Sequence, residues 1–177
     1  MNSTSTCDWC DAHKSTAQGP QELRVLALPW RSYGARATFS GPAVTVQALD
    51  DNSEVKRWLE SPGEGRVLVV DGHGSMRRAL LGGNMAASAA RQGWAGVLVC
   101  AAVRDVAELA LADVGIFALG TVPLPTERRG QGLSQIPVRL GGVTVLPGDL
   151  IVADADGVIA LPPAFSTGPS MAAGAAS

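Results

Sequence analysis

Residues 66–100 read RVLVVDGHGSMRRALLGGNMAASAARQGWAGVLVC, and this stretch decides the fold. Arg66–Val70 is a short apolar run bounded by turn residues, the pattern of a strand buried on both faces. Asp71–Ser75 is a loop leaving its carboxyl end. After a short strand at Arg78–Leu81, Gly82-Gly83-Asn84 opens an alanine-rich helix that runs through Ala90 and is closed by Gly93. Ala95–Cys100 is another buried strand. Strand, loop, helix and strand in this order imply an α/β core, with the helix crossing over between neighbouring strands.

Toward the N-terminus, the pattern predicts a helix over Thr4–Thr16, broken at Gln18-Gly19-Pro20, then a strand over Leu23–Leu28 that runs into Pro29. Ala35–Phe39 follows, then a turn at Gly41-Pro42. Ala43–Ala48 is a strand with one buried face, because Val44 and Val46 alternate with polar residues. Asp51-Asn52-Ser53 is an N-cap cluster for a helix over Ser53–Glu60, whose Val55, Trp58 and Leu59 share an apolar stripe. Toward the C-terminus come a short helix at Val106–Leu111, a strand at Gly115–Leu119 and a long loop over Thr121–Gln135. Four more strands are expected at Pro137–Leu140, Val143–Leu146, Leu150–Ala153 and Gly157–Leu161, with glycine- and aspartate-rich turns between them. The reading is one domain over 1–163 and a disordered Ala/Gly/Ser/Pro tail over 164–177.

Composition narrows the function. A net charge of −2 with no basic block argues against direct nucleic-acid binding. No window approaches a membrane span, and the first residues lack a secretory signal, so a cytoplasmic location is expected. Three cysteines make a disulfide framework implausible. Cys7 and Cys10 form a CxxC without a second pair, which reads as packing on one face of a short helix, and Cys100 reads as core.

Loops leaving the carboxyl ends of strands are where open α/β sheets gather ligands. Two stand out. Residues 71–84 end at a helix N-terminus whose backbone amides suit a carboxylate or phosphate, and Gly82 and Gly83 allow close approach. By itself, however, a Gly-Gly pair is most often a turn. The second loop sets Arg104 beside Asp105 directly after a buried strand. Adjacent opposite charges are usually a surface feature, yet here Arg can fork a carboxylate and Asp can hold a hard divalent cation. Together they could bind an oxo acid and the metal that polarises its carbonyl. His73 lies in the glycine-rich loop and reads chiefly as a loop histidine; His13 reads as surface. Ser75 lacks a nucleophile-elbow context. Asp149, Asp154 and Asp156 read as turn formers. No lysine ends an apolar strand, so a Schiff-base route has no obvious nucleophile.

The segments 66–75, 78–86 and 102–105, taken in order with Gly141–Asp149 and Ala153–Gly157, resemble the RraA-like family. That family includes the regulator of ribonuclease activity A and the 4-hydroxy-4-methyl-2-oxoglutarate aldolases. The likeness runs from about Thr6 to Leu161. It implies a compact αββαβ-type sandwich in the swivelling-domain style, assembled as a homotrimer or hexamer with sites between subunits. It also implies class II aldol chemistry with Mg²⁺ or Mn²⁺. On this chain Gly82, Gly83, Asn84 and Met85 would receive the pyruvyl part of the substrate, Arg104 would bind and polarise it, and Asp105 would hold the metal. Oxaloacetate decarboxylation is the expected side activity. The other activity the resemblance implies is non-catalytic: binding and inhibiting a ribonuclease of the E type. Members with that role tend to lack the Asp after the Arg, and this chain keeps it. The chain departs from the aldolase pattern in having Ala101 for a frequent Gly, no carboxylate in the 82–84 turn, and no C-terminal extension.

Overall fold

The computed structural model describes residues 5–13 and 22–165. Helix α1 spans Thr6–Ala12, and strands β1 (Arg24–Val25), β2 (Arg31–Ser32) and β3 (Phe39–Gln47) follow. Helix α2 (Ser53–Leu59) leads to β4 (Val67–Asp71), β5 (Ala79–Leu81), α3 (Gly83–Arg91) and β6 (Gly96–Val103). Helix α4 (Val106–Leu109) is followed by β7 (Gly115–Thr121), β8 (Leu133–Ser134), β9 (Val138–Leu140), β10 (Val143–Val145), β11 (Leu150–Asp154) and β12 (Gly157–Leu161).

The order in the large mixed sheet is β1-β12-β11-β3-β4-β6-β7-β2, with β5 on β6, β8 on β3, and β9–β10 as a separate hairpin. The stretch 66–100 forms the expected crossover: β4 and β6 are parallel neighbours, with Val67 opposite Gly96 and Asp71 opposite Cys100. Every residue of β4 and of β6 is buried. Their side chains alternate between two cores. Leu68, Val70, Val97, Val99, Ala101 and Val103 face the helices, packing with Val55, Leu59, Ala86, Ala89 and Leu109. Val67, Val69, Leu98 and Cys100 face the other way, against Ile151, Ala153, Val158 and the β9–β10 hairpin. Two buried faces explain why neither strand shows polar alternation. The result is a single mixed α/β domain, layered as helices, parallel sheet and antiparallel half-sheet.

The corner between the half-sheets is β3, and it overturns the turn expected at Gly41-Pro42. Phe39–Pro42 pairs antiparallel with β11, whereas Ala43–Gln47 pairs parallel with β4. Pro42, which lacks an N–H, sits where the strand changes partner, so no ladder bond is lost there. Gly96 and Gly115 make room for the Phe39 ring: a Cβ on either would lie within 2.1 Å or 1.9 Å of it. Phe39 in turn meets Phe117 edge-on at 5.3 Å.

Several elements differ in extent from expectation. The strand over Leu23–Leu28 shortens to Arg24–Val25, although the Leu26 amide still donates to Val158 O at 2.9 Å. The two-residue strands β2 and β8 were too short to carry a period. α1 is shorter than expected, and Thr4, residues 14–16 and the break at 18–20 lie outside the described residues. It buries Thr6 and Trp9, while Cys7 is exposed and only Cys10 packs, so the expected two-cysteine packing face is not formed. His13 is half-buried rather than a surface residue, stacked on Trp9 at 5.6 Å and edged by Phe165 at 5.0 Å. Of the tail, Pro163–Phe165 forms a 3-10 turn and residues 166–177 lie outside the described residues. No helix among the described residues is long and apolar enough to cross a membrane.

Two of the aspartates read as turn formers also pin distant parts together. Asp149 Oδ2 accepts from the Leu146 amide at 2.7 Å within its turn, and also from Arg24 at 2.9 Å in a fully buried ion pair. Asp154 accepts both the amide and the hydroxyl of Thr6, each at 2.7 Å, and so anchors α1 to the end of β11.

Candidate active site

The carboxyl end of β6 delivers Arg104 and Asp105 to the start of α3. The Arg104 amide donates to Leu81 O at 3.0 Å, which holds the end of β6 against β5, and the chain then turns sharply. Asp105 has φ +59° and ψ +46°, a left-handed conformation that a side chain usually avoids. The turn starts α4 and points the Asp105 carboxylate back at α3. Its Oδ2 accepts the Gly83 amide at 3.1 Å and lies 3.5 Å from Arg104 Nε. Arg104 and Asp105 are each about one-third exposed at their side chains (38% and 35%), accessible to a ligand yet held in place.

Gly82 and Gly83 let the side chains of Asp105, Arg104 and Glu108 approach the turn closely. A Cβ on Gly82 would lie 2.6 Å from Asp105 Oδ2 and 3.3 Å from Arg104 Nε. A Cβ on Gly83 would lie 1.8 Å from Glu108 Oε2. The Met85 amide donates to Gly82 O at 3.1 Å, and Gly83 is taken by Asp105. The amides of Gly82 and Asn84 have no intramolecular partner among the described residues. The expectation of four free amides at this helix start is therefore corrected to two, because the first turn is tightened and Asp105 caps it.

A cleft of about 80 Å³ opens at this junction, lined by Gly82, Asn84, Met85, Arg104 and Asp105 on one side. Its other walls are Asn52, Ala79 and the 125–128 part of the long loop. Asn52 is a residue the sequence reading placed only as a helix cap. In the structure its side chain makes no cap bond; it donates to Leu80 O at 3.2 Å and to Met85 Sδ at 3.4 Å, and accepts from Arg128 Nε at 3.3 Å. Neighbouring Asp51 accepts the Ser53 amide at 2.8 Å and, from the far loop, the Arg129 amide at 2.7 Å. Burial pushes the Asp51 carboxyl up, but the bonds from Ser53, Arg129 and Gln131 outweigh it and hold it below its ordinary value.

Glu108 was also missed. One turn beyond Asp105 on α4, its carboxylate lies against Gly83, so α4 brings a second acid to a turn whose own residues have none. The only signal was the i, i+3 spacing of Asp105 and Glu108. Ala101 does not approach the cleft. Its side chain is fully buried in the helix-side core, directly over Gly72, where a Cβ would meet it at 2.6 Å. His73 and Ser75 lie elsewhere. His73 lines a separate groove with Gln47, Leu49 and the 130–133 loop, and Ser75 donates to Asp50 at 2.7 Å.

No three or more His, Cys, Asp or Glu side chains converge to form a metal cage among the described residues. A hard cation that keeps most of its water needs only one or two carboxylates. Asp105 fits that demand, since only its Oδ2 is engaged and its side chain reaches solvent.

Comparison with known proteins identifies the family. The family model described as RraA-like, Aldolase/RraA, matches residues 6–160. A protein of Albidiferax ferrireducens named "Putative 4-hydroxy-4-methyl-2-oxoglutarate aldolase" is 52% identical over 165 residues, covering 89% of this chain and 94% of its own. Among solved structures, the RNA-processing inhibitor RraA from Thermus thermophilis is 40% identical with a TM-score of 0.86, covering 98% of each chain. A Geobacillus kaustophilus protein described as an S-adenosylmethionine:2-dimethylmenaquinone methyltransferase is 42% identical with a TM-score of 0.81, covering 89% of this chain and 94% of its own.

Proposed function

The chain belongs to the RraA-like family, Aldolase/RraA, and from that premise we propose that it is a divalent-metal-dependent lyase that cleaves oxo acids of the 4-hydroxy-4-methyl-2-oxoglutarate type to pyruvate. The observation that carries this reading is the meeting of Arg104, Asp105 and the start of α3 in one small cleft. At about 80 Å³ the cleft suits a small acid, well below the roughly 300 Å³ or more of pockets for larger ligands such as an adenosyl cofactor.

The amides of Gly82 and Asn84 receive the pyruvyl carboxylate at the positive end of α3. Arg104 donates to the 2-oxo oxygen. The C4 hydroxyl gives up its proton and becomes a carbonyl as the C3–C4 bond breaks. The electron pair passes into the pyruvyl half as an enolate, whose oxygen Arg104 stabilises, and protonation at C3 releases pyruvate. Asp105 would hold Mg²⁺ or Mn²⁺, which would supply Lewis-acid polarisation of the same carbonyl. Oxaloacetate loses CO₂ to give the same enolate, which makes decarboxylation the natural side activity. The working unit is a cytoplasmic homotrimer or hexamer.

Asp105→Ala tests this reading: it should abolish pyruvate formation while the assembly, measured by size-exclusion chromatography, stays intact. An unchanged rate refutes it. The likeness to the Thermus RraA favours a second reading, in which the chain binds and inhibits a ribonuclease of the E type. A pull-down from cell extract that retains no ribonuclease counts against that alternative.

A further inference from the structure

The cleft contains a second cation that the chemistry at Arg104 and Asp105 does not use. Arg128 belongs to the charged triplet Glu127-Arg128-Arg129, but its neighbours satisfy each other. Glu127 pairs with Arg129 at 2.8 Å and with Arg78 at 3.7 Å. Arg128 instead faces the cleft, where its Nε donates to the neutral Asn52 oxygen. No carboxylate lies within ion-pair distance of it among the described residues. A guanidinium carries five N–H donors, so one bond to an amide leaves most of the fork open.

The placement is built rather than incidental. Buried Asp51 takes the amides of Arg129 at 2.7 Å and Gln131 at 3.3 Å, and Ser53 takes that of Gly130 at 3.0 Å. These bonds fix the loop immediately after Arg128. On the same wall, Thr126 Oγ1 is shut away from solvent without a hydrogen-bond partner among the described residues. A sequestered hydroxyl of that kind is satisfied when a polar ligand or water reaches it.

We propose that Arg128 receives the second carboxylate of a dicarboxylic oxo acid, opposite the pyruvyl end held by Arg104, and so determines which oxo acids the cleft accepts. The proposal builds on the reading of the cleft as an oxo-acid site. Asp105 lies on the Arg104 side and repels a second negative group there, whereas the Asn52–Arg128 wall offers an open guanidinium fork. A mono-acid of the same length would leave that fork unpaired.

Calorimetric binding of 2-oxoglutarate and of 2-oxopentanoate, which lacks only the distal carboxylate, tests the proposal in the presence of Mg²⁺. The full-length protein should prefer 2-oxoglutarate by about 10- to 100-fold, the range of charge-assisted hydrogen bonds. Arg128→Gln should remove that preference and leave 2-oxopentanoate affinity within about twofold. Equal weakening of both ligands, an undiminished preference in Arg128→Gln, or a wild-type protein that does not distinguish them would overturn the proposal. Neither ligand is an aldol, so selective binding here together with no pyruvate release from 4-hydroxy-4-methyl-2-oxoglutarate would refute the lyase reading and leave the dicarboxylate site standing.

Discussion

Oδ2 of Asp105 accepts the backbone amide of Gly83 at 3.1 Å, tying the end of β6 to the start of α3 through one carboxylate oxygen. The bond joins two loops twenty-odd residues apart and needs both a glycine without a Cβ and an aspartate in a left-handed turn.

Gly82→Ala should therefore separate activity from stability. The new methyl meets the flexible ends of Asp105 and Arg104, which can swing away, so pyruvate formation should fall by about tenfold or more, about 1.4 kcal/mol in the barrier. The melting temperature should move by only a few degrees. Gly63→Ala is the contrast: its Cβ meets the Trp94 backbone nitrogen at 2.4 Å, which cannot yield, and the cost should be about 1–3 kcal/mol of stability. Equal thermal shifts in the two variants would contradict this account.

The Arg24–Asp149 pair, fully buried at both side chains, ties β1 to the β10–β11 turn. Arg24→Ala leaves the buried Asp149 carboxyl group without its partner, and should cost about 3–5 kcal/mol in urea unfolding. A loss below about 1 kcal/mol would show that the pair is dispensable.

Asp51 gives the fold an acid limb. Its folded-state value lies below the ordinary one, because the bonds from Ser53, Arg129 and Gln131 outweigh burial. Its stabilising contribution is thus complete above the ordinary carboxylate range and is lost as pH falls through the lowered value. Asp51→Asn should be less stable at neutral pH and converge with wild type in acid, as read from urea midpoints across pH. Parallel curves down to the lowest pH would assign the acid limb elsewhere. Asp154 shifts in the same direction, with burial again outweighed by the bonds from Thr6, so acid should also loosen α1.

Much of this was legible in the chain itself. The crossover at 66–100 could be read because both strands are apolar on two faces, and Arg104-Asp105 because charges directly after such a strand must sit at its end. The corner in β3 was not legible: Gly41-Pro42 is a turn by local chemistry, and only the change of partner from β11 to β4 keeps it extended. Asn52 was hidden for a related reason. As part of Asp51-Asn52-Ser53 it has the composition of a cap, while its role is set by Met85 and Arg128, both far away in sequence. Glu108 needed the short α4 to bring it over Gly83, and nothing local foretells that contact.

The most direct test of the central claim is release of pyruvate from 4-hydroxy-4-methyl-2-oxoglutarate, measured with Mg²⁺ and again after EDTA. The account predicts turnover with the metal, its loss on chelation and its return when Mg²⁺ is restored. A folded, oligomeric protein that releases no pyruvate under either condition would contradict it and favour the ribonuclease-binding reading.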